Sequence, residues 1–167
     1  MKQQRSSGSR IAVYPGTFDP VTNGHLDLIH RALELFPRVI VGVAVTNGKE
    51  TLFSVDERVE LLKRATRSLK RLSVLPMEGL SVEFARKHRA PVILRGLRML
   101  SDFEYEFQLA LTNRRLSPTI ETVFLMPSAE YSYLSSRLIK EAAALGANMR
   151  GLVPDFVVPR LREKFGR

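Results

Sequence analysis

The chain's 167 residues are 44% hydrophobic and include no cysteine, which supplies a core for one domain and excludes disulfides, thiolate nucleophiles and cysteine metal sites. No apolar run approaches the roughly 20 residues of a membrane span, and Met1 to Arg10 is too polar for a signal peptide, so a cytoplasmic protein without a membrane partner is expected. The formal charge of +9 gathers at the ends, +3 within Met1 to Arg10 and +3 within Arg160 to Arg167, and the body left at +3 lacks the basic face of a nucleic-acid binder.

In chain order, residues 1–9 are expected to be a flexible extension, followed by a strand-like run from Arg10 to Tyr14. The loop Tyr14-Pro15-Gly16-Thr17-Phe18-Asp19-Pro20-Val21-Thr22-Asn23-Gly24-His25 leads into an amphipathic helix with Leu26, Ile29, Leu33 and Phe36 on one face. A second apolar run, Val39 to Val45, precedes the turn Thr46-Asn47-Gly48-Lys49. Ser54-Val55-Asp56-Glu57 is a capping box opening a helix with Val55, Val59, Leu62, Ala65 and Leu69 on its face. Leu72 to Leu75 predicts a third strand, Ser81 to His88 a short helix, and Val92 to Leu94 a fourth strand ahead of the loop Arg95-Gly96-Leu97-Arg98. A helix from Asp102 to Arg115 stops near Ser117-Pro118, a fifth strand runs from Thr122 to Met126, and a helix from Ser136 to Leu145 ends at Gly146. Gly151 to Arg167 reads as a connection and a terminal basic helix or tail.

The strand runs are rich in Val, Ile and Leu without alternation, which suits strands buried on both faces, hence a parallel sheet. Five of them alternating with helices predict a single Rossmann-like, doubly wound α/β domain with ligands at the carboxyl ends of its strands. Four of the five strand ends carry His25, Lys49, Arg95 with Arg98, and the hydroxyl-rich run Pro127 to Arg137. Singly, each has a plain reading: Thr22 a helix cap and His25 a solvated first-turn residue, Lys49 a surface lysine, Ser135 and Ser136 a cap. Their convergence on one sheet edge points to polyphosphate binding, where free backbone N–H groups and a positive helix end meet. Phe103, Tyr105 and Phe107 read as core and subunit packing.

Taken together, Tyr14 to Pro20 with Thr22-Asn23-Gly24-His25, then Arg95 to Arg98, Asp102-Phe103-Glu104-Tyr105-Glu106, and Ser135-Ser136 before Leu138-Ile139-Lys140-Glu141 resemble the bacterial phosphopantetheine adenylyltransferases over roughly Ile11 to Pro159. The resemblance implies a nucleotidyltransferase domain over residues 10–167 that transfers AMP from ATP to 4′-phosphopantetheine, giving dephospho-coenzyme A and pyrophosphate. It also implies Mg²⁺ as cofactor, carried mainly by ATP since no carboxylate cage stands in the sequence, a homohexamer built as a dimer of trimers, and coenzyme A as a feedback ligand. By the same resemblance His25 stabilises the transition state, while Thr17, Lys49, Ser81 and Arg95 hold the acceptor, Lys49 and Arg95 with a catalytic part. Thr17, Phe18, His25, Gly96, Leu97, Arg98 and Glu106 line the ATP site, and Tyr131, Ser132, Tyr133, Leu134, Ser135, Ser136 and Arg137 close over it. Ser81 stands where that family commonly has an apolar residue. A sibling nucleotidyltransferase with another acceptor, an RNA-binding module and a structural scaffold are the alternative readings.

Overall fold

Every apolar run expected to be a strand is one in the computed structural model, which describes residues 11–45 and 50–166. The strands β1 (Ile11–Gly16), β2 (Arg38–Ala44), β3 (Leu72–Met77), β4 (Val92–Gly96) and β5 (Glu121–Leu125) form one all-parallel sheet in the order β3-β2-β1-β4-β5. Between and after them run α1 (Asn23–Leu35), α2 (Val55–Ala65), α3 (Ser81–Lys87), α4 (Leu100–Leu116), α5 (Ser136–Ala144) and α6 (Val157–Lys164). The expected extension over residues 1–9, Arg10, and the turn Thr46 to Lys49 lie outside the described residues. Among the described residues no helix is long and apolar enough to cross a membrane.

The two faces of the sheet are buried by different helices. Ala12, Tyr14, Val39 and Val41 face a core shared with α1, α2, α5 and α6, whereas Val13, Ile40 and Ile93 face a smaller one closed by Val82, Phe84 and Ala85 of α3. Burial on both sides explains why the runs lack alternation. The last segment is a docked helix, not a loose tail: Val157, Val158 and Leu161 are buried, and Arg160 and Lys164 reach Glu57 of α2 at 3.0 and 2.9 Å.

Two local differences from the sequence reading matter for function. β4 continues through Arg95 and Gly96, so only Leu97 and Arg98 form the expected loop, and the Leu97 N–H still reaches Leu125 O at 3.0 Å. The cause is β5, which runs alongside as far as Leu125 and extends the ladder past the apolar run. The face of α2 also turns from its predicted position: Arg58, Leu61 and Leu62 are its buried side chains, and Val55 and Val59 are only half-buried.

Pairing across the centre of the sheet is short. β1 follows β2 from Ile11↔Arg38 to Gly16↔Val43, and β4 follows β5 from Val92 to Gly96, yet β1 and β4 pair only at Ala12↔Val92 and Val13↔Ile93. Beyond those residues the two central strands part at their carboxyl ends. The strand order also reverses there, and such a switch point leaves a crevice for a ligand.

Candidate active site

A cavity of about 320 Å³ opens where β1 and β4 separate. Tyr14 to Phe18 form one wall and Arg95, Gly96 and Arg98 the other, and the N-terminal turns of α1 and α5 close the remaining sides with Thr22, Gly24, His25, Ser135, Ser136 and Arg137. Two helix N-termini thus bring their positive ends to one space.

The cap of α1 fixes the histidine. The Thr22 hydroxyl accepts the His25 N–H at 3.3 Å, and the His25 ring reaches back so that Nδ1 accepts the Thr22 N–H at 3.0 Å. A backbone N–H is always a donor, so Nδ1 is the bare nitrogen of a neutral ring and the proton sits on Nε2. Burial holds the imidazole down to about 4, and the positive charge of Arg98 pushes the same way. Phe18 meets the ring edge-on, 4.9 Å between centroids, and also packs edge-on against Tyr14. The cavity is therefore offered a neutral N–H donor in a fixed orientation.

Arg95 is the charge at the sheet rim. Its Nε and Nη2 donate to both carboxylate oxygens of Glu106 at 2.7 and 2.5 Å, and its Nη1 donates to Pro15 O at 3.0 Å across the parted strands. Glu106 is only 8% exposed, and a fork held on a buried carboxylate leaves the remaining Arg95 hydrogens in one direction. Arg98 binds Asp102 through Nε at 3.1 Å and the Leu134 carbonyl through Nη1 at 2.7 Å, tying the end of β4 to the segment before α5. Gly96 has no room for a side chain, because a Cβ would stand 2.6 Å from Leu28 Cδ1. Ser136 Oγ donates to Pro20 O at 2.7 Å, while Ser135 caps α5 by accepting the Leu138 N–H.

Of the residues expected at the site, Thr17, Phe18, His25, Arg95, Gly96, Arg98, Glu106, Tyr131, Leu134, Ser135, Ser136 and Arg137 line this one cavity. Leu97 does not, its N–H being held by β5; nor do Ser132, whose hydroxyl closes its own turn on Ala129 O, or the exposed Tyr133. Ser81, the first residue of α3, is not among the residues lining this cavity, and Lys49 lies outside the described residues.

Beneath the cavity lie residues that pattern reading missed. Asp19, 3% exposed, accepts the Leu52 and Phe53 N–H groups at 3.0 and 2.9 Å and pairs with Lys140 of α5 at 2.7 Å. Arg58, buried on α2, donates to Phe53 O, Thr17 O and Ala44 O at 3.1, 2.7 and 2.9 Å. Asp27 of α1 accepts both the N–H and the hydroxyl of Ser128 at 2.8 Å, pinning the exit of β5. The one signal in the sequence was Arg58 itself, a cation on the apolar side of a helix.

Known proteins of similar sequence show the family. A family model described as cytidylyltransferase-like matches residues 13–142. The chain is 54% identical over 157 residues to a phosphopantetheine adenylyltransferase of Moorella thermoacetica, covering 94% of this chain and 98% of that one. It is 53% identical over 156 residues to the protein of that name from Caldanaerobacter subterraneus, covering 93% and 98%. With a third from Oleidesulfovibrio alaskensis the identity is 52% over 161 residues, covering 96% and 95%.

Proposed function

The chain belongs to the cytidylyltransferase-like family and, within it, to the phosphopantetheine adenylyltransferases, and from that premise we propose how its cavity performs adenylyl transfer. The enzyme transfers AMP from ATP to 4′-phosphopantetheine, giving dephospho-coenzyme A and pyrophosphate in coenzyme A biosynthesis. The observation that carries the mechanism is His25, fixed by Thr22 with its Nε2–H toward the space where the strands part.

An oxygen of the acceptor phosphate attacks the α-phosphorus of ATP in line, its bond forms as the bond to the β-phosphate oxygen breaks, and pyrophosphate leaves with the electron pair. The attacking group is already anionic, so no general base is needed; the protein has to align two polyanions and stabilise charge on the transferring group. His25 donates to the α-phosphate as that charge develops. Arg95, aimed by Glu106, holds the acceptor phosphate with Thr17 and Lys49, and Ser81 faces the pantetheine arm. Phe18, Gly96, Leu97, Arg98 and Glu106 form the nucleotide side, and Tyr131 to Arg137 with the α5 N-terminus close over the outer phosphates.

Magnesium borne by ATP would neutralise part of the triphosphate charge. Glu106, which lines the cavity, is engaged by Arg95, and Asp19 beneath it by Lys140, and the described residues contain no group of three or more potential ligands. The site therefore fits a nucleotide-borne ion and not a caged one.

The working unit is a cytoplasmic homohexamer, a dimer of trimers. Support comes from α4, whose Leu100, Phe103, Phe107 and Leu111 recur at helical spacing and are 45 to 87% exposed. Coenzyme A, sharing its adenosine and phosphates with ATP, is the feedback ligand of the same cavity.

The test is pyrophosphate release from ATP with a panel of acceptors. The reading expects release with 4′-phosphopantetheine and none with unphosphorylated pantetheine or nicotinamide mononucleotide. Release driven by another acceptor in preference to 4′-phosphopantetheine would overturn it.

A further inference from the structure

Arg58 is 2% exposed, lines no part of the cavity, and yet spends a full positive charge directly under it. Such a burial is costly unless the guanidinium is fully engaged. Its Nη1 bridges Thr17 O and Ala44 O, the carbonyls that leave the ends of β1 and β2, and its Nε holds Phe53 O.

The contact at Thr17 has a directional consequence. Among the described residues the only cis peptide is Asp19-Pro20, so the Thr17–Phe18 peptide is trans. In a planar trans peptide the C=O of one residue and the N–H of the next point in opposite directions. With Thr17 O drawn down onto Arg58, the Phe18 N–H is turned away from the interior, toward the cavity that Thr17 and Phe18 both line. Phe18 also has φ 53, a left-handed conformation that a non-glycine residue keeps only when its surroundings impose it. Its ring, wedged between Tyr14 and His25, imposes it from one side, and the Arg58 contact at Thr17 O from the other.

We propose that Arg58 is a positioning residue for adenylyl transfer, which holds the Thr17–Phe18 peptide so that the Phe18 N–H, polarised by a cation on the linked carbonyl, donates to phosphate beside His25. A charge-assisted bond at one end of a peptide strengthens the donor at the other. The inference rests on the adenylyl-transfer reading of this cavity.

Two measurements on the full-length protein test it. In the first, the amide of Phe18, labelled with ¹⁵N-phenylalanine and assigned by its loss in Phe18→Tyr, is followed during titration with ATP; it is expected to move downfield, as an N–H does on donating to phosphate. In the second, Arg58→Lys is expected to lower turnover per folded site about 10- to 100-fold at a temperature where thermal unfolding shows it folded. Its ATP affinity stays within about threefold, and its Phe18 amide moves less than in wild type. A lysine has one nitrogen, which cannot hold Phe53 O as the Arg58 Nε does while also bridging Thr17 O and Ala44 O, so the fixed plane of the contact is lost. Wild-type turnover per folded site in Arg58→Lys, or a Phe18 amide that ATP leaves in place in the wild type, overturns the proposal. The amide titration decides the matter by itself if Arg58→Lys does not fold. Wild-type protein that binds ATP with the expected amide shift but transfers no AMP to 4′-phosphopantetheine would defeat the adenylyl-transfer reading, and the Phe18 amide in Arg58→Lys would then still decide whether Arg58 aims that N–H at phosphate.

Discussion

Replacing His25 by alanine separates the two jobs this residue holds, as the end of a capping box and as a donor to phosphate. The variant loses the bond from the Thr22 N–H to Nδ1, worth about 1 kcal/mol, and the edge contact with Phe18, worth roughly 0.5 to 1.5 kcal/mol. The Thr22 hydroxyl still accepts the backbone N–H of residue 25, so the helix keeps its main cap. A net loss near 2 kcal/mol lowers the melting temperature by about 4 to 8 °C for a domain of this size. Loss of a donor that acts on developing charge costs about 100- to 1,000-fold in turnover, or about 2.7 to 4 kcal/mol of transition-state stabilisation, with ATP affinity nearly unchanged. His25→Gln is the companion variant. A glutamine at this position of a capping box reaches back to the N-cap N–H, so its melting temperature returns toward wild type while turnover recovers only in part. Thermal unfolding, calorimetry with ATP and steady-state pyrophosphate release on the three proteins carry the comparison. Turnover that follows the melting temperature across the set would make His25 a cap alone.

The lowered His25 pKa has a signature in stability. Between about 4 and the ordinary 6.5 the unfolded chain binds a proton that the folded one refuses, so unfolding free energy falls as pH drops through that window. Asp27 and Glu57, both lowered, contribute their loss only at lower pH, so denaturant titrations of His25→Ala should lack most of the fall between pH 6.5 and 5. Arg95→Ala raises the Michaelis constant for 4′-phosphopantetheine about tenfold or more and that for ATP far less, because a charge-assisted contact to the acceptor is lost; equal changes in both would contradict the assignment. It also strands the Glu106 carboxylate, so Arg95→Ala should unfold at a lower temperature than Arg95→Ala with Glu106→Gln. ATP and coenzyme A compete for one cavity, and calorimetry that finds both bound at once to a subunit would show otherwise.

What the sequence discloses is what local chemistry controls. The loop from Tyr14 to His25 was legible because Gly, Pro and a Thr-led helix cap act over a few residues, and the strands because burial on both faces removes alternation. Arg95 stands directly after the apolar run Val92 to Leu94, where a charge needs a partner. Glu106, its partner 11 residues later on α4, is set by how a helix lies across the sheet and leaves no periodic trace. Arg58 shows in the sequence only as a cation on the apolar side of a helix, and its carbonyl partners at the ends of β1 and β2 are supplied by the tertiary fold. The runs Arg95 to Arg98 and Tyr131 to Arg137 also take in Leu97, Ser132 and Tyr133, which are not among the residues lining the cavity, since successive residues of a strand or turn face different sides.

The parting of β1 and β4 is proposed to seat the reacting phosphates against His25, and a crystal structure of the enzyme with 4′-phosphopantetheine and an ATP analogue whose α,β-bridging oxygen is a methylene shows whether it does. The α-phosphate is expected within hydrogen-bond distance of His25 Nε2 and the acceptor phosphate on the Arg95 guanidinium, with Glu106 still holding its far edge. A triphosphate seated elsewhere, or an α-phosphate met by Arg95 with the His25 ring turned away, would contradict it.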